Sequence, residues 1–489
     1  MNKVEKQRKP RAGLLLIASP RFKTLYGPQR GTYHERKLKA VEDIKASMNF
    51  LDLADPGIVY EREDAEKAMK LFFNEKVDFI YAEFLSWSED FAWIRFLRDC
   101  PQIPILFCNV AKPRMGFETT LDEDDFIDYL CAGTLVGSLE GSGSLRRIPR
   151  KNVRTVMGTR EQITEKVRIY ADAARTRSIL RNSTVGLMAN MNEAMWSTYI
   201  DNYDLFTKIG PEIHYLPYSD YGAEIEALTN EEVETYAHNL TSRYQMMPDV
   251  EYDKFIGCIK ATLAIKKMAQ KNDIDCYVYN DIDQATFRTA GCRAGFYPQW
   301  FNENVSVLVP EADIGAGLAT YILKLLSGKH VNFIEPFHIE DDFGTFAGGH
   351  AGPNDHNDPA WQDNVIISRD VRFAKTSWKY AGAPFAWYRI SPGMKTVAGL
   401  YEQNGKYKMV TFMAESLSEK DTPQSVQKHL LATYSHTIFR PAVPVKELFE
   451  QVLKIGVTQH FAIVDGDYRP QLEALAEMMG FEFYNIGQL

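Results

Sequence analysis

The residues best suited to chemistry are two acids and two histidines whose surroundings are unusual. His350 lies in "GTFAGGHAGPNDHND" (344–358), among glycines and alanines that leave little side-chain bulk around its ring. Glu311 ends the run "VSVLVPE" (305–311) and begins a glycine-containing helix, so its carboxylate falls beyond a strand's carboxyl end and near a positive helix terminus. Glu335 closes the apolar run in "VNFIEP", followed by Pro336, and His460 opens the apolar strand in "GVTQHFAIVDGD". Each has an ordinary structural reading as well: a helix-start acid, a strand-edge charge, a turn histidine and a core histidine bonded to a carbonyl.

Two carboxylates and two imidazoles make an oxygen/nitrogen donor set suited to Mn²⁺, or to another octahedral divalent cation that keeps open positions. A substrate could then chelate through two adjacent oxygens, and the carboxylates could carry protons. The four are far apart in the chain, unlike the compact HExxH motif, and spacing alone does not bring them together. His34, His214, His238, His330, His356 and His429 lie in polar or loop contexts and read as structural or surface residues. Arg21, Lys23, Arg30 and Arg36 cluster in the loop "SPRFKTLYGPQRGTYHER" (19–36). This is either a solvated loop or a place where an anion is captured.

The elements that would position these residues fall into three blocks. The chain has 489 residues, too many for one ordinary core, so about two to four domains are expected. In block 1–180, short apolar runs (13–19, 77–84, 103–109) alternate with amphipathic stretches at 35–51 and 62–75, a pattern of parallel strands covered by helices. Block 181–325 repeats it, with strands at 183–190, 275–281 and 305–311 and an apolar helix over 312–328 stopped by Gly328. Block 326–489 is richer in glycine, proline and alternating runs, which predicts antiparallel strands with late helices at 421–434, 444–455 and 468–480. The fold expected is α/β, with two Rossmann-like parallel-sheet domains followed by a β-rich C-terminal domain.

Composition narrows the partners. A formal charge of −9 argues against nucleic acid, which is bound by clustered basic charge. No apolar run reaches the roughly 18 residues that span a bilayer. Residues 12–18 read as a buried first strand after a floppy basic tail rather than as a signal segment. Six singly placed cysteines with no CxxC pair fit a reduced, cytoplasmic protein.

The run "PEADIGAGLATYILKLLSG…NFIEPFHIE…GTFAGGHAG", with the ending "FRPAVPVKELFEQVLKIGVTQHFAIV" and "LEALAEMMGFEFYNI", resembles the metal-binding core of the L-arabinose isomerase / L-fucose isomerase family. "SPRFKTLYGPQ" resembles the first-strand loop of arabinose isomerases. The resemblance covers most of the chain through the order of short motifs. It implies a Mn²⁺-dependent aldose–ketose isomerase whose metal ligands are Glu311, Glu335, His350 and His460. Glu311 and Glu335 would be the acid/base pair acting through a cis-enediol, and the protein would be a homotrimer or hexamer.

The chain departs from the family in places. Gln459 stands where arabinose isomerases carry the first of two histidines. "GTLVGSLEGSG" (133–143) supplies Gly137 and Glu140 where a substrate-contacting Gln and His would lie, and Pro336 follows the second acid in place of an acidic residue. His436 in "YSHTIFRP" competes with His460 for the last ligand position. Arg21, Lys23, Glu140 and Gln459 are accordingly the candidate substrate-binding residues, and the substrate is a pentose, a 6-deoxyhexose or the sulfonated hexose sulfoquinovose, converted to sulfofructose. Two other readings stay open: a non-catalytic sugar-binding protein, and a metal-dependent aldolase or lyase passing through a similar enediolate.

Overall fold

The computed structural model describes residues 2–112, 114, 122–148, 150, 152–370, 382–422 and 437–487. The chain divides into two compact units, Arg8–Ser178 and a second made of Met1–Gln7 with Ile179–Leu489.

The unit Arg8–Ser178 is built on a parallel sheet. Its strands are β1 (Arg11–Ile17), β2 (Asp52–Ala54), β3 (Ile58–Val59), β4 (Phe79–Phe84), β5 (Ile105–Val110) and β6 (Val153–Gly158), in the order β2-β1-β4-β5-β6 with β3 also on β1. Residues 12–17 of β1 are all buried, as expected of a strand covered on both faces. The first helix spans Tyr33–Ser47, starting earlier than its apolar period indicates, because Thr32 and Glu35 form a reciprocal capping box. Phe72, Phe84, Trp93, Phe96 and Phe107 fill the core.

In the second unit, β7 (Thr184–Met188), β8 (Glu212–Leu216), β9 (Cys276–Tyr279) and β10 (Val307–Val309) form a parallel sheet in the order β8-β7-β9-β10. The amino-terminal segment is not a free tail here. Residues Lys3–Gln7 form a short helix, and the buried Lys6 Nζ lies 2.5 Å from Asp275 while donating to Asn304 O and Ser306 Oγ at 3.0 Å. Pairing of this kind offsets much of the cost of burying an ammonium.

After β10 comes the helix Ile314–Ser327, whose residues from Ile314 to Leu326 are all buried. A helix apolar on every side must be covered on every side. One flank meets β9 and β10, and the other meets strands of a barrel. Gly315 permits this closeness, since a Cβ there would lie 2.3 Å from Leu400 O.

The barrel contains β11 (Asn332–Glu340), β12 (Thr345–Gly349), β13 (Gly393–Gln403), β14 (Lys406–Ser416), β15 (Thr437–Pro441) and β16 (Phe461–Asp465). They pair antiparallel in the order β13-β16-β11-β12-β15-β14, and the β13–β14 pairing closes the ring. β17 (Glu482–Ile486) joins β14 in parallel. Closure leaves the six strands without the free edges an open sheet would expose. The late helices lie at Val445–Ile455 and Arg469–Met479. The helix expected at 421–434 falls almost wholly outside the described residues. Among the described residues, no helix is long and apolar enough to cross a membrane.

Candidate metal centre

Glu311 does not begin the helix that follows it. Asp313 is the N-cap, accepting from Ala316 N at 2.9 Å, and the helix starts at Ile314. Between strand and helix, Glu311 and Ala312 take φ values of 63° and 55°. Such left-handed backbone costs a non-glycine residue on the order of 1 kcal/mol and persists only where its surroundings hold it. Here Asp281 Oδ1 accepts the Glu311 N–H at 3.0 Å, Asn192 Nδ2 donates to Glu311 O at 3.1 Å, and Ala312 N–H donates to Tyr279 O at 3.2 Å. The buried Arg293 pairs with the other oxygen of Asp281 at 3.0 Å.

Glu335 lies within β11 rather than at a strand end, opposite Gly349 of β12. The register shifts between Pro336 and His338, a bulge that accommodates a proline with no N–H to give the ladder. His350 follows directly on β12, and His460 directly precedes β16. Because β11 pairs with both β12 and β16, the barrel brings Glu335 and the two histidines together from three neighbouring strands.

Both imidazoles are oriented through Nδ1. That of His350 donates to Ala351 O at 2.6 Å, and that of His460 faces Asp313 Oδ2 at 2.8 Å. Each Nε2 therefore points inward. His460 Nε2 lies 3.0 Å from Glu311 Oε2 and 3.5 Å from Glu335 Oε1. His350 Nε2 lies 3.3 Å from Glu311 Oε1 and 3.9 Å from Glu335 Oε2. The Phe333 ring packs against both imidazoles, at 4.8 Å and 4.6 Å between centroids. Burial opposes charge on Glu311, but His350 and His460 outweigh it and hold its carboxyl well below the usual range. Burial likewise opposes charge on His460, yet Asp313, Glu311 and Glu335 raise its pKa well above that of a free imidazole.

One ligand atom from each of Glu311, Glu335, His350 and His460 lies within 4.8 Å of the others. Around an octahedral ion with bonds of about 2.1 Å, ligand atoms stand roughly 3 to 4.3 Å apart. The donor set fits a divalent cation with only slight contraction, and the Asp313–His460 contact is the carboxylate–imidazole support usual for a metal-bound histidine. These four residues could hold a metal ion.

The other candidates are placed differently. Gln459 is half-buried beside His460, with its Nε2 3.1 Å from Met195 Sδ. Arg21, Lys23 and Glu140 belong to the unit Arg8–Ser178. Arg21 pairs with Glu89 and lies over the Phe22 and Trp87 rings, and Lys23 sits 4.7 Å from the Tyr60 ring centroid. Arg30 is held by Asp125 and Asp128, and Arg36 by Asp124 and Asp128, so the basic loop is largely neutralised from within. Glu140 is exposed on the helix Thr134–Leu145, with its pKa raised by partial desolvation of its carboxylate and by Asp90 and Glu89. His429 and His436 lie outside the described residues.

Asp313, Asp281 and Asn192 support the centre without having stood out in the sequence. Asp313 carried one signal: an Asp before "IGAG" is a natural N-cap. The roles of Asp281 and Asn192 depend on contacts distant in the chain. No protein-family model matches this chain, and no curated protein matches it either.

Proposed function

We propose that the protein is a metal-dependent aldose–ketose isomerase of the L-arabinose isomerase / L-fucose isomerase type. The observation that carries this reading is the convergence of two carboxylates and two inward-facing imidazole nitrogens within 4.8 Å. The succession of two parallel sheets and an antiparallel barrel is compatible with two Rossmann-like domains followed by a β-rich one. Mn²⁺ suits the mixed oxygen and nitrogen donors. When bound, the cation supplies Lewis acidity toward two adjacent oxygens of an open-chain sugar.

Glu311 and Glu335 form the acid/base pair. One takes the proton from C2 to give a cis-enediol, and the other returns a proton at C1. His350 and His460 chiefly hold the site, their tautomers set by Ala351 O and Asp313. The substrate is a neutral pentose, a 6-deoxyhexose or sulfoquinovose, and the assembly is a homo-oligomer. Six buried cysteines, none in a disulfide, accord with the cytoplasm.

The test is a panel of these sugars with Mn²⁺ in ²H₂O, followed by NMR. Deuterium entering at C2 or C1 with ketose formation, and lost in Glu311→Gln and Glu335→Gln, supports the reading. Cleavage of a carbon–carbon bond would make the protein a lyase, and binding without exchange would make it a sugar-binding protein.

A further inference from the structure

Within the unit Arg8–Ser178, a cavity of about 480 Å³ opens at the carboxyl ends of β4 and β5, lined among others by Glu83, Leu85, Val110 and Lys112. In parallel sheets this is where ligands bind. Its acids are already matched. Arg160 pairs with both oxygens of Glu83, at 2.9 and 3.0 Å, and Asp128 is shared between Arg30 and Arg36 at 2.5 and 2.6 Å.

Among the described residues, none of the wall's lysines Lys37, Lys39 and Lys112 has a carboxylate partner within ion-pair distance. Lys37 is only 4% exposed, and its Nζ donates to Leu85 O at 2.6 Å. Among the described residues no carboxylate lies within ion-pair reach of it; burial and the nearby Lys112 disfavour its charge, the Cys131 thiol and, at longer range, Glu83 favour it, and the Tyr33 ring lies 5.6 Å from Nζ to centroid. Lys39 and Lys112, both exposed, flank the same cavity. A buried ammonium with a carbonyl but no counter-charge in contact is costly, and an anion in the cavity would offset that cost. Lysine binds phosphate as a point charge with several free donors.

We infer that this cavity is a binding site for a small tetrahedral oxyanion, a phosphate or the phosphate group of a small monoester, held by Lys37 with Lys39 and Lys112. The inference goes beyond the proposed isomerase activity and does not depend on it. Lys37 is the specific element, since it is buried and lines the cavity. Lys39 and Lys112 add charge at the rim.

The experiment is calorimetric titration and thermal unfolding of the full chain, metal-free, with inorganic phosphate and with glycerol phosphate, at ionic strength fixed with chloride. Wild type is expected to bind both or only the monoester, saturably, with a rise in melting temperature. Binding to both shows that the free ion suffices, and binding to the monoester alone shows that the carrier is also read. Lys37→Met, which removes the buried charge at similar volume, and Lys112→Ala, a surface change, are each expected to weaken binding about tenfold or more. Affinity unchanged in folded Lys37→Met, or no saturable response to either ligand, overturns the assignment.

Discussion

Asp281 accepts the backbone N–H of Glu311 at 3.0 Å, holding in place a left-handed residue whose carboxylate faces the candidate cation site. The same Asp281 pairs with Arg293. Arg293 also lies 3.6 Å from Asp370, so loss of Asp281 weakens its charge compensation without abolishing it, at a cost of up to about 3 kcal/mol. Asp281→Ala should lower the urea unfolding free energy by about that amount. Asp281→Asn should cost less, because its amide oxygen can still accept from Glu311. Equal losses in the two variants would show that the bond to Glu311 contributes little.

Asp313 caps the helix with one oxygen and supports His460 with the other. An asparagine at this position keeps the cap but loses the charge. Asp313→Asn should therefore weaken Mn²⁺ binding about 10- to 100-fold with the helix intact, measured by calorimetry and circular dichroism. An unchanged affinity would separate Asp313 from the site.

Without metal, His460 has a pKa raised well above 6.5 by Asp313, Glu311 and Glu335, so near pH 7 it carries a proton. A cation reaches Nε2 only by displacing that proton. Apparent affinity should rise by up to about tenfold per pH unit until pH passes the raised pKa. Calorimetry in buffers of different ionisation enthalpy should record proton release near neutral pH. No release would mean that the imidazole is already neutral or is not a ligand.

His356 is fully buried, receiving the Tyr297 N–H at Nε2, and burial lowers its pKa to about 4. The unfolded chain takes up this proton below about pH 6.5, whereas the folded chain resists until about pH 4. Stability from this group is complete above the unfolded value and is lost as pH falls from about 6.5 toward about 4, by about 1–3 kcal/mol. His356→Gln should flatten the fall in unfolding free energy across that window, and an identical slope in both proteins would contradict the assignment.

The four donors were legible because each stood in a local context visible along the chain: an acid past an apolar run, a histidine among glycines. What local contexts could not supply was their meeting, which depends on β11 pairing with both β12 and β16. The same limit explains the misplaced helix start at Glu311, whose turn is held by Asp281 and Asn192, distant in sequence. It also explains Lys6, whose partner Asp275 makes a fixed helix of what reads as a loose basic tail. The basic loop could be read as exposed charge, but not the acids of the helix Glu123–Ala132 that neutralise it.

The most direct test is anomalous diffraction at the manganese edge from crystals grown with Mn²⁺. The account predicts a single strong peak per chain, bonded at about 2.0–2.3 Å to Glu311, Glu335, His350 and His460. A peak at other residues, or none at these four with the ion in excess, would contradict it.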